Sequence, residues 1–218
     1  MRYFDGRTLA FLGDLRNHND RGWFAENKTR YEECVKEPLL EFISDAGPEL
    51  RWISSRLVAD PRPVGGSMFR IYRDVRFSKD KSPYKPYAAA HFPLGHRTSG
   101  PGYYLHIEPG ASILAGGMWR PDADALGNIR GRISARPREW AKARGDLDED
   151  EEALKRPPRG FSVDDPMIED IRRKSYTASI VLSDDQVTRA DVMKTFVRGC
   201  TRLSPLLRFL AAAVGASW

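Results

Sequence analysis

Between Met68 and about Met118 apolar residues recur at every second position, and on either side of that stretch they recur at helical spacing. A period of two sends side chains to alternate faces of a strand, and a period near 3.6 gathers them on one helix face. The switch divides the 218 residues into a helical part over 1–60, a sheet over 67–118 and a second helical part over 122–218 with one possible strand. The class this implies is α+β, a central antiparallel meander sheet flanked by N- and C-terminal helices, in a single domain spanning 1–218.

The helix signals are specific. Thr8 can cap a helix carrying Leu9, Phe11, Leu12 and Leu15, and Asp20 can cap one carrying Trp23, Phe24 and Tyr31. Pro38 suits the first turn of a third segment, which Gly47-Pro48 should interrupt. Four strands are expected: a run from Met68 to Phe77, then Tyr87–Phe92, Tyr103–Glu108 and Ser112–Leu114, with a turn over Pro93–Gly102. Short connections favour antiparallel pairing. Later, Asp122 or Asp124 caps a helix with Ile129 and Ile133, Pro137 opens another with Trp140, Tyr176–Leu182 could add a strand, and Ser183 begins the last helices.

Composition narrows the class of function. Hydrophobic residues make up 41% and charged residues 30%, enough for a sizeable core under a solvated surface. The net charge is +5, but six acids crowd into Asp146–Glu152, so the remainder stands at +11 and should attract anions. The acidic run reads as a solvated helix start or loop, with the option of covering a basic cleft. Two cysteines, Cys34 and Cys200, outside any C-x-x-C spacing, suit a reducing compartment. His18, His91, His96 and His106 form no metal-binding spacing, so neither a metal nor another cofactor is expected. The N-terminal stretch meets charge before any long apolar run, and the C-terminal one is interrupted by Arg208, so a cytoplasmic protein without a membrane span is expected.

The chemistry concentrates in Arg70–Lys85, where six cations and two acids occupy sixteen positions. On a strand, Arg70, Asp74 and Arg76 would share one face, the acid orienting two guanidiniums whose fork matches phosphate or carboxylate. Arg73 would fall on the apolar side and needs a carboxylate or a bulge. Lys79, Lys81 and Lys85 supply point charges around a turn fixed by Pro83, with Tyr84 among them. Tyr87 and His91 share one side of their strand, as do Tyr104, His106 and Glu108. If those sides coincide with the face of Arg70, Asp74 and Arg76, the sheet carries one polar, titratable, aromatic-edged surface. A charged ladder kept only for solubility is the plain alternative. Gly116-Gly117 lacks the ending of a phosphate loop and reads as a tight turn or bulge. Trp23 and Trp119 read as core residues, either able to floor a pocket.

These features carry a resemblance. Phe11-Leu12, Asn19, Trp23-Phe24, Asn27-Lys28 and Tyr31 are followed by the block Arg70-x-x-Arg73-Asp74-x-Arg76-Phe77-Ser78-Lys79-Asp80-Lys81-Ser82-Pro83-Tyr84-Lys85. Gly116-Gly117-x-Trp119-x-Pro121, Leu154-Lys155-Arg156-Pro157-Pro158-x-Gly160-Phe161 and Lys174-Ser175 come after. In this order they resemble the family called domain of unknown function 2461 over nearly the whole chain. That family usually reads Asn-Asn before its Trp-Phe, and His18 stands at the first of those positions. The resemblance implies one α+β domain and no particular activity.

The residues themselves point first to a small phosphate- or carboxylate-bearing ligand, gripped by Arg70, Arg73, Arg76, Lys79, Lys81 and Lys85 and oriented by Asp74 and Asp80, with Tyr84 and Trp119 beside them. If turnover occurs, phosphoester hydrolysis or transfer is the class to test, with Asp80 or His106 as general base. A protein-interaction module ranks second. Nucleic-acid binding ranks third, because no RNA-recognition, zinc-finger or basic-zipper signature accompanies the charge.

Overall fold

The computed structural model describes residues 2–95 and 100–218. His96, and with it the middle of the expected turn at 93–102, lies outside the described residues. Helix α1 (Gly6–Asn17) is capped by Asp5 rather than Thr8. The buried Thr8 hydroxyl instead donates to the carbonyl of Cys34 at 2.7 Å, tying α1 to a π-helical turn at Glu32–Lys36. Asp20 caps α2 (Arg21–Glu26) as the sequence implies, and α3 (Lys28–Tyr31) leads through the π turn into α4 (Glu37–Ile53). Pro48 does not interrupt α4. The face Leu39, Phe42, Ile43, Ala46 and Leu50 is buried along its length, and that burial outweighs the roughly 3 kcal/mol an internal proline costs.

Four strands, β1 (Ala88–Pro93), β2 (Gly102–Ile107), β3 (Ser112–Met118) and β4 (Tyr176–Leu182), pair antiparallel in the order β1-β2-β3-β4. Three of the expected strands and the optional one at Tyr176–Leu182 therefore make the meander. The expected strand over Met68–Phe77 does not form. Only its start lies along β1, where Phe69 N–H donates to Ala89 O at 2.9 Å and His91 N–H to Ser67 O at 2.8 Å. The chain then leaves the sheet toward the N-terminal helices. Alternation alone cannot keep Val75 and Phe77 in a strand, since no second layer buries them, and Phe77 is 96% exposed.

Helices α5 (Ala123–Ala135), α6 (Pro137–Ala143), α7 (Ile168–Ile171), α8 (Asp184–Thr188) and α9 (Val192–Ala213) complete the chain. Asp122 caps α5, Pro137 opens α6, and Ser183 caps α8 in a reciprocal capping box. α9 crosses one face of the sheet, burying Phe196, Cys200, Leu203 and Leu207 in the core that also holds Phe92, Tyr103, Leu105 and Leu114. Close approach requires glycine here. A Cβ on Gly199 would meet Leu114 Cδ2 at 2.4 Å, and one on Gly116 would meet Leu207 Cδ1 at 2.8 Å. Gly116-Gly117 is thus no turn but part of β3, paired with Tyr103 and Gly102 on one side and Ala178 and Thr177 on the other, with Gly117 held at a positive φ. With α9 on one face, the alternate residues of the four strands look out from the other.

Candidate ligand-binding site

The basic segment folds as an excursion closed at its base. Tyr72 and Tyr84 bridge, Arg73 N–H donates to Pro83 O at 2.9 Å and Lys85 N–H to Ile71 O at 2.8 Å. The excursion is fastened from the helical side. Asn19 bonds the Tyr84 backbone at both its N–H and its carbonyl, and the Tyr84 ring stacks on Phe24 at 4.1 Å between centroids. Tyr84 is therefore buried packing rather than a ligand contact. His18, at the position the family usually gives to asparagine, stacks on Trp23 instead.

Arg73, Asp74 and Lys85 come together with Pro86, Tyr87 and Glu108 around a groove of about 400 Å³. Arg73 pairs with Asp80, whose carboxyl is held down at about 2 by the Ser82 hydroxyl first, then the Ser82 amide and Arg73. Asp74, also held at about 2, is occupied by the Arg76 guanidinium. Lys85 donates to Arg70 O at 3.0 Å, and its ammonium stands 5.5 Å from the Phe69 ring centroid. Burial, and then the like charges of Arg70 and Arg73, push the Lys85 pKa down. The remaining cations scatter. Lys81 donates to Val75 O at 2.9 Å, Arg76 is spent on Asp74, and Lys79 is exposed. Arg70, Asp74 and Arg76 do not share a strand face.

Behind Tyr87 lies a second constellation. Its ring packs 4.3 Å from that of His106, centroid to centroid. His106 Nε2 is 2.8 Å from Glu108 Oε2, His106 Nδ1 is 3.0 Å from the Tyr104 hydroxyl, and Glu108 Oε1 accepts from Arg16 at 2.9 Å. A carboxylate only accepts, so Nε2 carries the hydrogen that faces Glu108, and Nδ1 shares a hydrogen with the Tyr104 hydroxyl. Burial, with Tyr87 and Glu108 adding to it, raises the Tyr104 pKa. Both ring nitrogens of His106 are thus committed; Glu108 borders the groove, and Tyr104 faces the open space on the sheet.

That space is a cavity of about 630 Å³ on the sheet face opposite α9. The register puts His91 beside Tyr104 and Ala89 beside His106, so the polar sides of β1 and β2 coincide, but the Arg70, Asp74, Arg76 face expected to join them does not form. Phe69, Tyr87, Tyr104 and Trp119 supply aromatic walls, while Gly102, Ala115, Gly117, Thr177 and Ser179 keep the floor low. Trp119 is 72% exposed, not a core residue. The His91 ring lies against Gly102, where a Cβ would meet Nε2 at 2.6 Å, and burial lowers its pKa. Of these residues the sequence singled out Trp119, Tyr87, His91 and Tyr104. It left out Phe69, Asp148, Thr177 and Ser179, although Ala115 and Gly117, small residues at alternate positions, were an available signal.

Asp148 belongs to the acidic run, which forms a loop laid along β4. Its backbone N–H donates to Thr177 O at 2.8 Å, and its Oδ2 accepts from the Ser179 hydroxyl at 2.9 Å. Asp150 accepts from the backbone N–H groups of Lys174 and Ser175 at 2.6 and 3.0 Å, and Glu152 pairs with Arg120. The run is therefore anchored and not a free solvated arm.

Among the described residues no group of three or more His, Cys, Asp or Glu side chains is placed to hold a metal, and no helix is long and apolar enough to cross a membrane. No curated protein and no solved structure matches the chain. A family model described as "Conserved hypothetical protein (DUF2461)" matches residues 7–209. Its span includes Asn19 and Tyr84, the groove cations Arg73 and Lys85, and the cavity wall Trp119, so the chain that builds these sites belongs to the DUF2461 family.

Proposed function

We propose that the protein binds a small phosphate- or carboxylate-bearing ligand in the groove between Arg73, Lys85 and Tyr87. One observation carries this reading. Arg73 and Lys85 line one groove, where burial first and then the like charges of Arg70 and Arg73 lower the Lys85 pKa, and among the described residues only Arg73 of the three has a carboxylate within ion-pair distance. Gathering like charges in a half-buried place is unfavourable unless an anion completes it. Arg76, Lys79 and Lys81 belong to the rim at most.

If the site also turns a ligand over, phosphoester hydrolysis or transfer remains the class to test. Of the two candidate bases the arrangement favours His106, which Glu108 orients and which reaches the open sheet face through the Tyr104 hydroxyl. Asp80, an anion down to about pH 2 and committed to Ser82 and Arg73, is a weak base better suited to aiming that arginine. Titrating inorganic phosphate and simple phosphoesters into the protein by calorimetry tests the binding. Lys85→Ala should weaken it by about tenfold, and Lys79→Ala should leave it unchanged. Equal affinity in wild type and Lys85→Ala would end the proposal.

A second reading, a protein-interaction surface, draws on Phe77. It is 96% exposed at the excursion's end with the Arg76 guanidinium 5.9 Å from its ring centroid. Its self-pairing form, with the acidic run of a neighbouring copy as partner, is disfavoured because Asp148, Asp150 and Glu152 are engaged within the chain.

A further inference from the structure

We propose that the cavity on the open sheet face receives a flat aromatic ring system carrying N–H donors, whose anionic substituent reaches the Arg73–Lys85 groove. A nucleoside monophosphate is the simplest common ligand of that description. The inference rests on the anion-binding reading of the groove and adds what the rest of the ligand must be.

The shape of the cavity selects a thin body. Its floor is backbone and short side chains, with Gly102 and Gly117 paired in one row and Ala115 and Ser179 in the next. The walls are the rings of Phe69, Tyr104, Tyr87 and Trp119. About 630 Å³ matches the volumes of sites that bury a small organic ligand. Leaving a Trp119 indole 72% exposed forgoes burial that a large aromatic normally obtains in the folded chain, and a stacked ring would supply it.

Charge then sets the direction. At the β4 side the Asp148 carboxylate faces the cavity. Ser179 takes its Oδ2, and among the described residues Oδ1 has no hydrogen-bond donor, so the site offers an acceptor for a ring or exocyclic N–H. At the β1 side stand Phe69, with the Lys85 ammonium against its ring, and Tyr87, the wall shared by cavity and groove. Three strand spacings separate β1 from β4, roughly 14 Å. A ligand that satisfies both ends is elongated, donates hydrogen bonds at one and is anionic at the other. A bare phosphate fills only the groove, and an apolar aromatic leaves Asp148 facing hydrocarbon, which is unfavourable for a carboxylate. His91, kept neutral by burial, adds no competing charge midway.

Calorimetry with AMP, adenosine, ribose 5-phosphate and inorganic phosphate, on wild type and on Trp119→Ala, Asp148→Asn and Lys85→Ala, tests this. Trp119 is largely exposed and Lys85 half-buried, and thermal melts confirm that each variant is folded. AMP should bind at least about tenfold tighter than ribose 5-phosphate, the scale of one base–aromatic stack. Trp119→Ala and Asp148→Asn should remove most of that advantage and leave ribose 5-phosphate unchanged. Lys85→Ala should weaken AMP and ribose 5-phosphate alike and spare adenosine. If ribose 5-phosphate or phosphate binds in a Lys85-dependent way but AMP gains nothing, the cavity inference fails and the groove reading stands. If adenosine binds and Lys85→Ala leaves AMP untouched, the groove reading fails and takes the anionic substituent with it. Binding of none of the four overturns both, as does a dimer in sedimentation that Trp119→Ala dissociates, which would make the cavity a subunit contact.

Discussion

Asn19 holds Tyr84 by both polar groups of its backbone: Nδ2 donates to Tyr84 O, and Oδ1 accepts from Tyr84 N–H, each at 3.0 Å. A side-chain amide used this way acts as a one-residue strand, satisfying the backbone where the basic excursion has left the sheet. The Phe24 ring beneath Tyr84 completes the attachment, so the groove's position is set by the N-terminal helices as much as by the sheet.

Asn19→Ala should accordingly destabilise the protein by about 1–3 kcal/mol, because two partly buried backbone groups lose their partners. For a chain of this size that lowers Tm by roughly 2–4 °C per kcal/mol. The same variant should expose 72–84 to limited proteolysis before the rest of the chain unfolds. Thermal melts and a protease time course check both. An unchanged cleavage pattern would show that the excursion is held elsewhere.

Gly117 separates backbone freedom from packing. Its φ is +141°, and a Cβ there would meet Tyr176 O at 2.0 Å on the neighbouring strand. Gly117→Ala should therefore cost about 3 kcal/mol or more, since neither the backbone conformation nor the β3–β4 spacing admits a methyl group. Gly110, with φ +74° and open space around it, provides the control. Its alanine variant should cost only the left-handed conformation, about 1 kcal/mol. Urea denaturation of the two variants reads the difference directly, and equal losses would contradict the close approach.

The class, the meander and the helix starts at Asp20, Pro137 and Ser183 were readable because each rests on local chemistry: a period of two, a proline in a first turn, a side chain reaching a free N–H. Met68–Phe77 was not, because its alternation satisfies the same rule while its fate depends on Asn19 and Phe24, some fifty residues away in the chain. Pro48 misled for the same kind of reason, a local penalty overridden by the buried face of α4. At the site, the cation-rich segment was visible, but which cations converge depends on the turn at 74–82, and only Arg73 and Lys85 line the groove. The cavity was half visible. Tyr87, His91, Tyr104 and His106 declared their sides by alternation, whereas Asp148 arrives from a loop whose acids looked merely solvated.

His91 makes the cavity sensitive to acid. Burial lowers its pKa below the ordinary 6.5, so between the two values the unfolded chain binds a proton that the folded one refuses. The unfolded state holds more protons there, and stability therefore rises with pH through that window and falls as pH drops below 6.5. A single group of this kind changes stability by at most about 1.4 kcal/mol per pH unit. His91→Gln keeps a polar side chain of similar reach and removes the titration. Urea denaturation at pH 7.5 and pH 5.0 should show wild type losing more stability on acidification than His91→Gln, with the two curves parallel above pH 7. A variant that loses as much as wild type would mean that the His91 ring reaches solvent and takes up its proton in the folded state.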